Sequence, residues 1–208
     1  MMNHHVEVIT KIPEDLFQGA LSEVLKIDWD NLPVKDKRKN TSDGQKENSH
    51  VFETSTTCHL RYHAITPGMP LTIQAHSAVV ECKDTVARAM YPKVNELSEW
   101  IYNYVNGTHL GRIMLVRLSA TGKIPLHIDP GEYFLKHYRF HVPLVTTDKM
   151  VFINKAHKEL NMPVGYLSQL NNRAEHGAIN YADTDRIHMI IDIDSENQRY
   201  GIPSPNIG

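Results

Sequence analysis

The segment Ile124-Pro125-Leu126-His127-Ile128-Asp129-Pro130-Gly131 and, soon after it, Tyr138-Arg139-Phe140-His141-Val142-Pro143-Leu144 decide how this chain is read. Neither has a helical period. If extended, the first sets His127 and Asp129 on one face, and the second sets Arg139 and His141 opposite Phe140, Val142 and Leu144. Working outward, short β runs recur at Arg112–Ala120, Ile124–Asp129, Tyr138–Val145, Met150–Asn154, Val164–Leu170, His176–Tyr181 and Arg186–Ile193, divided by clusters of Gly, Pro, Asn and Asp. Successive strands without intervening helices predict an antiparallel barrel or sandwich.

Upstream the period changes. Ile12-Pro13-Glu14-Asp15 opens a helix, with proline and acids in the first turn, and Leu16, Phe17, Ala20, Leu21, Val24 and Leu25 form its apolar stripe. Val51–Ile65 reads as strand material. A second helical region begins near Asp84, breaks near Pro92, and resumes through Val94, Leu97, Trp100, Ile101, Tyr104 and Val105 until Asn106-Gly107 stops it. Between them Lys35–Ser49 contains no large apolar residue and is expected to be a long mobile loop, either simply solvated or a lid over substrate. The expected organisation is one domain over 1–208, with a helical and loop part at 1–110, a β core at about 111–194 and a loose tail at 195–208.

Composition excludes several classes. At 208 residues the chain is long enough to bury one sizeable core, and no stretch approaches the ~18 uninterrupted apolar residues of a membrane span. The N-terminus lacks the basic and apolar regions of a signal peptide, so a cytoplasmic location is expected. Lys and Arg total 22 against 24 acids, which gives no bulk electrostatic footprint for nucleic acid. Two cysteines, Cys58 and Cys82, form no CxxC pair and read as reduced, inert thiols. Histidine stands out: 13 of them, the commonest metal-ligand type, suggest looking for a metal site.

His127-x-Asp129 can chelate one metal if extended, although a bare His-x-Asp is more often two unrelated polar side chains. A third ligand would complete a face of two histidines and one carboxylate, and His176 opens another expected strand. Arg186 follows ten residues later. A symmetric turn over Tyr181–Asp185 would make His176 and Arg186 near cross-strand neighbours. If Phe140 and Val142 pack under the helices, Arg139 and His141 point into the barrel, where buried arginines need an anion. Two arginines near a metal face call for a dicarboxylate. 2-Oxoglutarate fits, because its 2-oxo acid end can chelate and arginine can grip its far carboxylate bidentately.

From about Arg112 to Asp194 the chain resembles the aspartyl/asparaginyl β-hydroxylase-like branch of the iron(II)- and 2-oxoglutarate-dependent oxygenases, a branch that includes bacterial hydroxylases of free amino acids such as proline. The matching residues are Leu126-His127-Ile128-Asp129, Arg139-Phe140-His141-Val142-Pro143-Leu144, Gly165 in the strand before the second ligand, Asn171-Asn172 with His176, and Asp185-Arg186-Ile187-His188-Met189-Ile190-Ile191-Asp192. Thr54-Ser55-Thr56-Thr57-Cys58-His59-Leu60-Arg61 is a weaker match. The resemblance implies a mainly β fold with flanking N-terminal helices, a double-stranded β-helix of cupin jelly-roll type. It implies iron held by His127, Asp129 and His176, Arg186 on the distal carboxylate of 2-oxoglutarate, and Arg139 with His141 near its 1-carboxylate. Mammalian-type members have glycine where this chain has Asp129. The family's serine partner for the distal carboxylate falls on Val116, which leaves that contact unassigned.

The expected function is a dioxygenase that uses iron(II), 2-oxoglutarate and O2 to hydroxylate an unactivated C–H bond of an amino acid or amino-acid side chain, releasing succinate and CO2. Its partner would be a small-molecule or peptide substrate. Two other readings are a non-catalytic cupin-like module that binds a carboxylate and a zinc hydrolase built on the same three ligands. The latter has no use for Arg186.

Overall fold

The computed structural model describes residues 6–33, 54–64, 81–129, 131–154 and 162–195. In chain order its elements are β1 (Val6–Lys11), α1 (Glu14–Val24), β2 (Ser55–His63), β3 (Cys82–Asp84), a 3-10 turn (Val86–Met90), α2 (Pro92–Tyr104), β4 (Gly107–Leu118), β5 (Lys123–His127), α3 (Glu132–Lys136), β6 (Tyr138–Val145), β7 (Met150–Asn154), β8 (Tyr166–Leu170), β9 (His176–Asn180) and β10 (Arg186–Ser195). The strands form a seven-stranded sheet in the order β1-β8-β6-β10-β4-β2-β3 and a three-stranded sheet β5-β9-β7. Neighbouring strands are antiparallel in both sheets. The chain crosses repeatedly from one sheet to the other, giving the expected double-stranded β-helix.

Alternation along β10 explains how the large sheet acquires two different faces. Ile187, Met189, Ile191 and Ile193 pack outward in one cluster with Phe17, Ala20 and Val24 of α1, Val94, Leu97 and Ile101 of α2, and Phe140, Val142 and Leu144 of β6. This is the main core, and truncating any one of its fully buried large side chains to alanine should cost about 2–5 kcal/mol. The intervening residues Arg186, His188 and Asp192 are also buried, but they face the barrel interior. At one end of that interior Leu118 and Leu170 meet Phe152, Ala178 and Met162 in a smaller apolar cluster that joins the two sheets.

Local sequence accounts for the helix ends. Pro92 sits in the first turn of α2, and Asn106, at φ 51°, takes the left-handed conformation that ends the helix before Gly107. Thr85 caps the 3-10 turn by accepting from the Ala87 N–H at 3.2 Å.

Several expectations need correction. β1, β3 and α3 lie where no element was expected. β5 stops at His127, so Asp129 lies beyond the strand and the period-two argument does not place it. Gly165 lies in the turn before β8, at φ +74°, and not in a strand. His176 and Arg186 are not cross-strand neighbours: β9 belongs to the small sheet and β10 to the large one, because residues 181–185 cross between sheets instead of closing a hairpin. The Lys35–Ser49 loop and the tail from 196 onward lie outside the described residues.

Candidate metal centre and anion pocket

His127 and His176 are direct register partners of β5 and β9, which sets their rings 4.4 Å apart between centroids. Each ring is oriented by the same device. The Nδ1 of His127 lies 2.8 Å from the Pro125 carbonyl and the Nδ1 of His176 lies 2.9 Å from the Ala174 carbonyl. A carbonyl only accepts, so Nδ1 carries the proton and Nε2 keeps its lone pair, as a metal ligand requires. Gly177 permits the close strand contact beside His176: a Cβ there would stand 2.8 Å from the Ile124 carbonyl oxygen.

Asp129 reaches the same point from the coil after β5, where its N–H donates to the Asn172 carbonyl at 3.1 Å. Its carboxylate oxygens lie 3.8 Å from His127 Nε2 and 4.0 Å from His176 Nε2. Ligand atoms of the three residues all fall within 4.8 Å of one another, and among the described residues no other such group of three forms. Burial pushes His176 down to about 4, so its imidazole is neutral at physiological pH and available to a cation. Two imidazoles and one carboxylate converging on a point suit a hard-to-borderline divalent ion such as iron(II).

Behind the triad runs a chain of charge. Arg139 donates from Nη1 to Asp129, and from Nε (2.9 Å) and Nη2 (3.1 Å) to Asp192. Asp192, fully buried, also accepts from Arg112 Nε at 2.9 Å and from the Tyr133 hydroxyl at 3.2 Å. These guanidiniums hold its carboxyl well below the usual carboxylate range, although burial alone would raise it. Phe134 of α3 stacks under both Arg112 (4.6 Å) and Arg139 (5.0 Å). Arg112, Asp192 and Tyr133 had been given no role from the sequence.

Arg186 is different. It is 2% exposed, its Nη2 meets His188 Nδ1 at 2.6 Å, and its guanidinium lies 5.0 Å from the Phe152 ring centroid. Among the described residues no carboxylate pairs with it, and its Nε has no hydrogen-bond partner. Desolvation pushes the guanidinium down to about 9. Nearby, His141 is buried with both ring nitrogens unsatisfied, and the Arg186 and Arg139 cations together with burial push it well below its ordinary value. The structure thus brings His127, Asp129 and His176 together, buries Arg139 and His141, and commits Arg139 to carboxylates of the chain itself and not to a free anion. Arg186 and His141 remain as polar groups awaiting a partner.

The sequence profile of the aspartyl/asparaginyl beta-hydroxylase family matches residues 72–196, which takes in the triad, Arg139, His141 and Arg186. No curated protein matches the chain. Among solved structures, a prolyl hydroxylase from Trichoplax adhaerens, in complex with a hypoxia inducible factor oxygen degradation domain peptide fragment, aligns with a TM-score of 0.58 at 11% identity, covering 93% of this chain and 85% of that one. A Pseudomonas putida prolyl-4-hydroxylase aligns with a TM-score of 0.50 at 11% identity, covering 94% and 95% of the two chains. At such identities these likenesses speak for the fold, while the profile match spans more than half of the sequence. The chain belongs to the aspartyl/asparaginyl β-hydroxylase family and is a hydroxylase on the double-stranded β-helix fold.

Proposed function

We propose that this protein is an iron(II)- and 2-oxoglutarate-dependent dioxygenase that hydroxylates a C–H bond of an amino acid or amino-acid side chain. In the balanced reaction, one O2 splits between the substrate, as its new hydroxyl, and 2-oxoglutarate, which leaves as succinate and CO2. The observation that carries the reading is Arg186, a buried cation with no anion among the described residues. Such a group is costly unless a ligand supplies the missing charge. A dicarboxylate with a chelating 2-oxo acid end would satisfy Arg186 at one end and reach the His127/Asp129/His176 face at the other.

The bound iron would supply the oxygen chemistry, and the chain's own residues do the rest. His127, Asp129 and His176 would hold the ion as its three protein ligands. The carbonyls of Pro125 and Ala174 orient the two rings so that both Nε2 atoms would face the ion, and Arg139, itself clamped by Asp192, fixes the Asp129 carboxylate. His141, buried with both ring nitrogens unsatisfied and 5.8 Å from the His188 ring, would meet the 1-carboxylate end of the co-substrate. No helix among the described residues is long and apolar enough to cross a membrane.

The test is turnover by protein stripped with a chelator. Iron(II) should restore succinate formation that depends on an added amino acid or peptide, and zinc should not, because zinc has no redox chemistry. Equal recovery with zinc would remove the oxygenase reading.

A further inference from the structure

We propose that His188 is the second donor to the far carboxylate of the 2-oxo acid, beside Arg186, in the place left open by Val116. This rests on the proposed function. The argument starts from a proton. Arg186 Nη2 and His188 Nδ1 lie 2.6 Å apart, and a guanidinium nitrogen can only donate, so His188 Nδ1 accepts. A neutral imidazole that accepts at Nδ1 carries its proton on Nε2. His188 is neutral: burial, and then the neighbouring Arg186 and His141, push it well below its ordinary value. Its Nε2–H is therefore a donor in a fixed tautomer, and it is buried without a partner.

Position supports the same role. Arg186 and His188 are alternate residues of β10, so both project from the inner face of the large sheet. They share Phe152 as a neighbour, at 5.0 Å from the Arg186 guanidinium and 5.7 Å from the His188 ring. Phe152 and His188 also wall a cavity of about 510 Å³ that includes Met150 and Met162. On the other side the His188 ring lies 5.8 Å from His141, which continues the row of unsatisfied donors toward the metal triad. A carboxylate has two oxygens. Arg186 offers its unpartnered Nε–H to one of them, and His188 Nε2–H serves the other, while the Nη2–Nδ1 bond locks the two donors together. A methyl at the same place would leave both donors unsatisfied, so the pair selects a dicarboxylate over a monocarboxylic 2-oxo acid.

The experiment compares 2-oxoglutarate with 2-oxopentanoate, which has a methyl in place of the far carboxylate, by calorimetric titration of the anaerobic iron(II) protein. His188→Leu should weaken 2-oxoglutarate by about 10- to 100-fold, the loss of a hydrogen bond to a charged group, and leave 2-oxopentanoate within about twofold. His188→Asn separates contact from support. Its side-chain oxygen can still accept from Arg186, but the amide is too short to reach where Nε2–H stood. It should lose as much as His188→Leu, and wild-type affinity in His188→Asn would overturn the proposal by showing that His188 only steadies Arg186. In wild-type protein loaded with zinc, the Nε2–H proton resonance of His188 should move downfield with 2-oxoglutarate and stay in place with 2-oxopentanoate. An unmoved resonance overturns the contact even if the variants fold poorly. Wild-type protein that binds no 2-oxoglutarate removes the proposed function and this contact with it, whereas wild-type binding together with unaffected variants removes the contact alone.

Discussion

Replacing Arg186 by methionine should make the ligand-free protein more stable while abolishing its response to 2-oxoglutarate. Burial alone pushes this guanidinium from its ordinary value down to about 9. At about 1.4 kcal/mol per pH unit, that displacement corresponds to a desolvation cost of about 5 kcal/mol. Two contacts offset part of it. The hydrogen bond to His188 and the face of Phe152 together return about 3–4 kcal/mol. A deficit of about 1–2 kcal/mol remains, which is the range in which apolar replacements of buried charges stabilise proteins. Methionine is flexible enough to fill the space against Phe152. The assay is urea unfolding with and without 2-oxoglutarate in the metal-loaded protein. Without ligand the variant should be the more stable by about 1–2 kcal/mol. At a 2-oxoglutarate concentration of about 100 Kd the wild type should gain about 2.7 kcal/mol and the variant nothing, so their order reverses. A variant less stable than wild type in the absence of ligand, or one that gains as much from 2-oxoglutarate, would refute the claim that Arg186 is an uncompensated charge held for an anion.

Asp192→Asn should destabilise by about 3–5 kcal/mol at neutral pH, since it leaves Arg112 and Arg139 buried with one carboxylate fewer. Because the folded state holds Asp192 below its unfolded value of about 3.9, that difference should be constant above about pH 5 and shrink as the pH falls below about 4, which urea midpoints across the acid range would show. Asp129→Gly should bind iron(II) at least about tenfold more weakly by titration, because the one anionic ligand is lost and the Arg139 cation it neutralised then opposes the ion; undiminished affinity would recast the site as a two-histidine centre. Gly177→Ala should push β9 away from the Ile124–Leu126 backbone, costing about 1–3 kcal/mol, and should weaken metal binding as well, since His176 moves with it; a stability loss with unchanged metal affinity would show that the strain is absorbed elsewhere.

Alternation made β6 legible to the residue, because Phe140, Val142 and Leu144 face the core while Arg139 and His141 face the interior, and β7 was legible as a short apolar run between turn residues. β1 was missed because its burial alternates poorly and its pairing with β8 is dictated by tertiary contact, not by its own pattern. α3 has only five residues, too few for a period, and it forms because Tyr133 and Phe134 are drawn beneath the arginines. The three candidate metal ligands were legible as residue types in order, whereas the partition of β9 and β10 between sheets was not, since sequence spacing cannot distinguish a hairpin from a crossing. His188 and Asp192 carried a visible signal: Arg186, His188 and Asp192 fall on alternate positions with Ile187, Met189 and Ile191 between them. The polar face is inconspicuous because Ile190 shares it and the other face is wholly apolar.

The sheets divide the labour of the site. His127 and His176 ride on the three-stranded sheet, while Arg186, His188, His141 and Arg139 ride on the seven-stranded one, which the helices back. A guest that touches both the triad and Arg186 is therefore a rivet through the sandwich, and one that touches a single side is only a passenger. Riveting should quiet the smaller sheet, so amide exchange in β5 and β9 becomes a gauge of full-length occupancy. Decarboxylation would break the bond inside the chelating end, leaving succinate with a single carboxylate toward the triad in place of a two-atom grip; that would loosen the rivet at the thin wall and tie product escape to the chemistry that made it.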